Sequence, residues 1–255
     1  KGMITKGFFR NAGGGKNMLL YYIRHGDPIY NPDSLTELGH KQSEALSKRL
    51  ADSGIEAVYC SPSNRARQTA EPFCNLVGIE PVILDWMNES YAYRDLSVER
   101  EPGKRTWAFN FEPMKRIFNS PEVRALGDRW YTHPLFAKTN FAQGVARVER
   151  ETDALLLSLG YRHDREGHRY IVEKPNEKRI AIFAHQGFGL AFLSALLDIP
   201  YNEYCLRFDI GHTGMTVINF EAKEGICIPR VLQHSNDSHL YKEGLGTKYH
   251  NTLPI

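Results

Sequence analysis

The chain has 255 residues, enough for one large domain, or a domain with a sizeable insertion, around a real apolar core. Hydrophobic residues make up 42% and charged residues 24%, as in an ordinary soluble globular protein. A net charge of +2 gives no bulk reason to expect nucleic acid or a membrane as partner, so any electrostatic preference must be local.

In chain order, Lys1–Asn17 is basic and glycine-rich without a signal-peptide core. It is set aside as a flexible leader or appended sequence, with Met18 as a candidate start and 18–255 as the folded domain. Met18–Ile23 is an apolar run of strand length that stops abruptly at Arg24, His25 and Gly26. Thr36–Ser53 carries Leu38, Ala45, Leu46 and Leu50 on one helical face, with Thr36 as its cap and Gly54 as its stop. Ile55–Cys60 reads as a second strand closed by Ser61 and Pro62, 64–76 as a helix, and Pro81–Leu84 as a third strand. From Tyr91 to Lys178 the rhythm changes to a long, charged, aromatic segment with helical stretches at Glu112–Phe118 and Ala142–Leu159. It reads as a mainly helical lid inserted at about 91–178.

The earlier pattern returns with Arg179–Ala184, which leads straight into His185, and with the apolar helix Gly189–Leu197. Met215–Phe220 and Ile226–Leu232 are late strands. His234–Ile255 is an irregular tail able to wrap the domain or to join two subunits as a homodimer. Strands alternating with helices predict an α/β fold with a mostly parallel sheet between two helical layers, a three-layer α/β/α arrangement. The four cysteines, Cys60, Cys74, Cys205 and Cys227, form no CxxC pair and no zinc-type spacing. With no apolar run long enough to span a bilayer, the expected setting is reducing and cytoplasmic.

Neighbouring parallel strands lie about 4.8 Å apart, and open α/β sheets bind ligands at the carboxyl ends of their strands. His25 and His185, each at a strand end, can therefore meet in one crevice. Arg65 opens the next helix, where free amides, the helix dipole and a guanidinium all favour an anion. Arg24, Arg65 and His185 can surround a dianion, leaving His25 to act on it.

These residues resemble the histidine phosphatase superfamily, the phosphoglycerate-mutase-like fold. Arg24-His25-Gly26 matches its Arg-His-Gly motif, Asn31 its asparagine six residues on, and Leu35–Gly39 its Leu-Thr-x-x-Gly motif. Ser61–Ala70 matches Ser-Pro-x-x-Arg-Ala-x-Gln-Thr-Ala, and His185 the second strand-terminal histidine. The resemblance implies that neutral His25 attacks phosphorus in line through one ring nitrogen, while an acceptor such as a backbone carbonyl holds the other. Arg24 and Arg65 bind the equatorial oxygens, His185 adds a donor and Asn31 a neutral amide. No metal or other cofactor is implied, because the arginines supply the positive charge. Glu89 stands where the family's proton donor lies, with Asp27, Asp85, Asp95 and Glu99 as competitors, and burial near Trp86 and Tyr91 is expected to raise its pKa.

Other readings stand beside these. Asn31 also suits a turn beside Pro32, and Arg67 suits a surface ion pair. His163 and His168 lack the clustered carboxylates of a metal site, and His212 suits a structural role. The short span from Arg-His-Gly to Leu-Thr departs from the mutases, and Pro28-Ile29-Tyr30 and Gln186 depart from the acid phosphatase branch. The chain thus resembles the intracellular phosphatase branch: a metal-independent phosphomonoester hydrolase acting through phosphohistidine on a small phosphorylated metabolite. The alternatives are a phosphomutase and a phosphoryl-binding protein without turnover. In the lid, Arg94, Arg100, Lys104, Arg105, Lys115 and Arg116 mix with Trp107, Phe109 and Phe111. They suit a second anionic group, a planar leaving group stacked on the rings, or simply the lid's own core and solvated face.

Overall fold

The computed structural model describes residues 16–247. The expected leader lies outside these over residues 1–15, as does the tail beyond 247, while Asn17 opens the first strand. The chain runs through β1 (Asn17–Arg24), the hairpin β2 (Pro28–Tyr30) and β3 (Asp33–Leu35), α1 (Glu37–Leu50), β4 (Ala57–Cys60), α2 (Asn64–Val77) and β5 (Val82–Ile83). Next come α3 (Glu89–Leu96), β6 (Ser97–Glu101), β7 (Lys104–Trp107), α4 (Glu112–Phe118), α5 (Pro121–Arg124), α6 (Phe141–Ser158), β8 (Tyr161–Asp164) and β9 (Arg169–Val172). The last part is β10 (Arg179–Ala184), α7 (Gln186–Leu197), α8 (Tyr201–Arg207), β11 (Met215–Glu221), β12 (Ile226–Cys227), β13 (Arg230–Asn236) and α9 (Ser238–Lys242).

The central sheet has the order β13-β11-β1-β10-β4-β5. β1, β10, β4 and β5 are mutually parallel, and β11 runs against β1. Alternation along β1 divides the core: Tyr21 and Ile23 join Leu46, Leu50, Ala70 and Phe73 of α1 and α2. Leu20 and Tyr22 join Phe188, Phe192 and Leu193 of α7 and Leu155 and Leu156 of α6. The architecture is the expected three-layer α/β/α fold, phosphoglycerate-mutase-like.

Between β5 and β10 no strand joins this sheet. The segment there has its own aromatic core, in which Phe118, Trp130, Phe136 and Phe141 meet with ring centroids 5.2–5.7 Å apart. It carries the β6–β7 hairpin and the β8–β9 pair, so it is less purely helical than its sequence reads.

Thr36 caps α1 as expected, its hydroxyl accepting from the Gly39 N–H at 3.0 Å. The helix ends at Leu50, four residues before Gly54, which instead supplies a left-handed turn residue. The expected strand Ile226–Leu232 is split at Pro229 into β12, which pairs with β9, and β13, which pairs with β11. The segment read as an irregular tail carries regular structure among its described residues: β13 edges the sheet, α9 follows, and Lys48 and Arg49 of α1 hold Glu243, Gln233 and Asn236. All four cysteines are free and buried. Among the described residues no helix is long and apolar enough to cross a membrane.

Candidate active site

The register Arg24↔Ala184 sets the ends of β1 and β10 level, so His25 and His185 leave adjacent strands side by side. Their ring centroids lie 5.3 Å apart. The Cys60↔Phe183 register puts Ser61 at the same rim from β4. The first turn of α2 brings in Arg65, and that of α3 brings in Glu89. Arg24, His25 and His185 are buried, as is Arg65 at the edge of that class.

The loop after β1 is braced by the motif residues around it. Thr69 accepts the Gly26 N–H at 3.0 Å, Gln42 the Asp27 N–H at 2.8 Å and Gln68 the Leu35 N–H at 2.7 Å. Gly39 has to be glycine because a Cβ there would stand 2.3 Å from the Asp27 carbonyl oxygen.

Hydrogen-bond chemistry assigns the tautomers. The Gly26 carbonyl, 2.7 Å from His25 Nδ1, can only accept, so Nδ1 carries hydrogen and the Nε2 lone pair is left available. Arg65 can only donate, so His185 Nδ1 accepts from its Nη2 at 3.1 Å, and His185 Nε2–H donates to Ser61 Oγ at 2.7 Å. Arg65 also donates to Asp33 Oδ1 at 2.7 Å and Glu89 Oε2 at 3.0 Å. The other oxygen of Glu89 accepts from the Gly187 N–H at 3.0 Å. Arg24 donates to the Ile210 carbonyl at 2.6 Å and lies 2.9 Å from His212 Nε2.

Burial first, then Arg24, His185 and Arg65, hold the pKa of His25 well below its ordinary value. His185 is pushed down to about 4, chiefly by burial, with Arg65 and Arg24 adding to the fall and Glu89 and Asp33 opposing it. Both imidazoles are therefore neutral near pH 7. The expectation for Glu89 is overturned. Burial does press its pKa upward, but His185, Arg65, Arg24 and the Gly187 N–H together hold the carboxyl below its ordinary value.

A ring nitrogen of His25, one of His185 and a carboxylate oxygen of Glu89 lie within 4.8 Å of one another, a spacing that could hold a metal ion. Two guanidiniums share that space, and their charge favours an anion there over a cation. His163 has become something other than a ligand: Asp153 and Asp198 bind its two nitrogens, each at 2.8 Å.

Asn31 is not brought to this site. It lies exposed at the turn between β2 and β3, while Tyr30 and Asp33 on either side face the cavity. Arg67 is exposed beside a different cavity of about 630 Å³ that holds none of these residues. Of the competing carboxylates, Asp85 is bound by Tyr91, Asp95 by Arg94 and Arg147, and Glu99 by the Gly103 N–H. Asp27 is bound by Thr36 and lies 3.5 Å from His212 Nδ1. Sequence reasoning missed Asp33 as the anchor of Arg65, Ser61 and Ser63 as partners of His185, and Tyr22, whose hydroxyl donates to the His185 carbonyl at 2.6 Å. Ser61 was within reach through its motif. Asp33 carries no local signal, because the hairpin that delivers it is positioned by tertiary contacts.

Residues 20–130 match the histidine phosphatase superfamily (branch 1). Over that stretch, 111 of its 255 residues, the chain is similar to this superfamily. Structural comparison returns a shared fold: a phosphoserine phosphatase of Entamoeba histolytica, solved with 3-phosphoglyceric acid, superposes with a TM-score of 0.54 at 17% identity. That match covers 88% of this chain and 99% of the other. A Hydrogenobacter thermophilus protein provisionally named phosphoserine phosphatase 2 is 21% identical over 82% of this chain and 93% of its own length. A PE-PGRS family protein of Mycobacterium tuberculosis is 33% identical over 32% of this chain, which spans only 16% of that relative's length.

Proposed function

We propose that this protein hydrolyses phosphomonoesters of small metabolites through a phosphohistidine formed on His25, without a metal. The observation that carries the reading is the Gly26 carbonyl at 2.7 Å from His25 Nδ1, which leaves a neutral imidazole with Nε2 as its nucleophilic atom beside two guanidiniums. Nε2 attacks phosphorus, the ester P–O bond breaks, and the departing oxygen takes a proton from Glu89. Water then attacks the phosphohistidine and gives a proton back to Glu89, releasing phosphate and neutral His25. Arg24 and Arg65 hold the equatorial oxygens, and little further covalent help is needed, because phosphoryl transfer is mostly positioning and charge stabilisation.

The ionised Glu89 of the free protein is compatible with this role. An arriving phosphoryl dianion draws Arg65 to itself and adds negative charge beside the carboxylate, and both effects raise the carboxyl pKa. A monoanionic ester can also bring the proton with it. The name of the Hydrogenobacter relative agrees with a small phosphorylated substrate.

Quenched turnover of a radiolabelled aryl phosphate tests the reading. Label that is acid-labile and base-stable should appear on the protein and be absent in His25→Ala, with turnover reduced about 10⁴-fold or more. Equal hydrolysis by both proteins would refute the assignment of His25.

A further inference from the structure

A cavity of about 550 Å³ is lined by Arg65 and by Glu89, the group proposed above to protonate the departing oxygen. Its size is in the range that takes a ring-bearing small molecule. Three aromatic side chains line it: Tyr30 from β2, Tyr93 from α3 and Trp107 from β7. Trp107 is held on both sides, edge-on to Tyr93 at 5.1 Å and stacked on Phe109 at 5.4 Å. Its ring edge rests on the backbone of Gly187, where a Cβ would stand 2.3 Å away. Gly187 is the residue whose N–H holds Glu89, so this wall is built onto the chemistry.

The charges around the cavity decide what the rings are for. Among the described residues Arg65 is the one cationic side chain that lines it. The cations of the inserted segment are spent elsewhere: Arg94 on Asp95, Arg100 and Lys104 on Glu101, Arg105 on Ser97, and Lys115 and Arg116 on Glu112. Lys115 and Arg207 face a neighbouring cavity that shares only Asn110 with this one. Beyond Arg65, which Asp33 and Glu89 already bind, a second anionic group on the substrate would meet ring faces, two carboxylates and only the neutral side chains of Ser63, Asn88, Ser90 and Asn110. An ammonium group fares no better. Arg65 lies between Asp33 and Glu89 and is bound to both, at 2.7 and 3.0 Å, so its guanidinium charge opposes a second cation there.

We infer that the ester this pocket takes carries an uncharged planar ring on its alcohol, an aryl or nucleobase-like group received by Trp107 and Tyr30. The inference rests on the phosphatase reading and deepens it by naming the leaving-group class.

Benzyl phosphate, para-carboxybenzyl phosphate, para-aminomethylbenzyl phosphate and glycerol phosphate provide the test, since the benzyl alcohols are alike in acidity. The neutral ring should exceed each of the other three about tenfold or more in kcat/KM. Trp107→Ala and Tyr30→Ala should each lower the ratio of benzyl to glycerol phosphate. A merely structural role for either ring would lower all four esters together and leave the ratio fixed. A carboxylated or aminated ester turned over as well as the neutral one, or a fixed ratio in both variants, overturns the inference while leaving the phosphatase reading intact. If wild type hydrolyses none of the four, that reading fails. The inference is then still decided by calorimetric binding of benzylphosphonate against its para-carboxylate, where equal affinity overturns it.

Discussion

Two buried imidazoles in this molecule titrate in opposite directions. His185, at the end of β10, is pushed down to about 4, whereas His163, on β8, is raised above its ordinary value. Burial presses both downward, so burial is not the difference. Near His185 two carboxylates, Glu89 and Asp33, stand against two guanidiniums, and its nitrogens contact a guanidinium and a hydroxyl rather than a carboxylate. His163 has a carboxylate on each nitrogen, which outweighs burial and the nearby Arg165, and it stacks on Tyr170 at 4.0 Å. One region keeps a neutral ring at the site proposed to receive a phosphoryl dianion. The other favours the protonated ring, whose two nitrogens tie β8 to Asp153 of α6 and to Asp198 at the end of α7.

The largest effect should come from making the first region resemble the second. Arg65→Gln removes the cation between His185 and Glu89, so the His185 pKa should climb from about 4 toward ordinary values, readable by NMR titration. Under the proposed function the same change removes a donor to the transferring phosphoryl group. It should therefore cost about 2.7–4 kcal/mol of transition-state stabilisation, or about 10²–10³ in kcat. An unmoved His185 resonance, or full activity, would show that Arg65 governs neither.

How much of this contrast was legible in the sequence follows from which interactions are local. The strand-to-polar switches at Arg24-His25-Gly26 and His185, and the motif around Arg65, located the site, because strand ends and helix starts are written in neighbouring residues. The start of α7 was misread. It reads as Gly189–Leu197, yet the helix begins at Gln186, and Gly187 and Gly189 are glycine because a Cβ would stand 2.3 Å from Trp107 and 2.5 Å from Tyr22. The partners of His163 lie 10 and 35 residues away, so no spacing rule could find them. The sign of the Glu89 shift was misjudged for the same reason: aromatic neighbours are visible in sequence, but Arg65 and Gly187 reach it only through the fold.

A middle-sized effect on stability should separate the two rings by pH. The raised pKa of His163 means its stabilisation is fully present below about 6.5 and is lost as pH rises through its folded value. His163→Gln should cost about 2 kcal/mol at pH 6, in line with charge-assisted hydrogen bonds, and the gap should narrow by pH 9. For His185 and His239, both lowered to about 4, the unfolded chain binds protons that the folded chain refuses. Stability should therefore fall between pH 6.5 and 4, by up to about 1.4 kcal/mol per pH unit for each ring. Denaturant titrations across this range read both limbs, and a gap independent of pH would show that the charge on His163 is not what joins its neighbours.

The smallest effect tests the finer setting of His185. Ser61 Oγ accepts from His185 Nε2 at 2.7 Å, and Ser63 Oγ stands behind it at 3.2 Å. Ser61→Ala removes the nearer acceptor but leaves the farther one, so the ring should keep its tautomer through Ser63. The loss should be about 1 kcal/mol, roughly fivefold in kcat, because a typical hydrogen bond contributes about that much net. Ser63→Ala alone should be nearly silent, and the double variant should lose more than the two single losses added together. Strict additivity would mean the serines act independently, and that the ring is oriented by Arg65 alone.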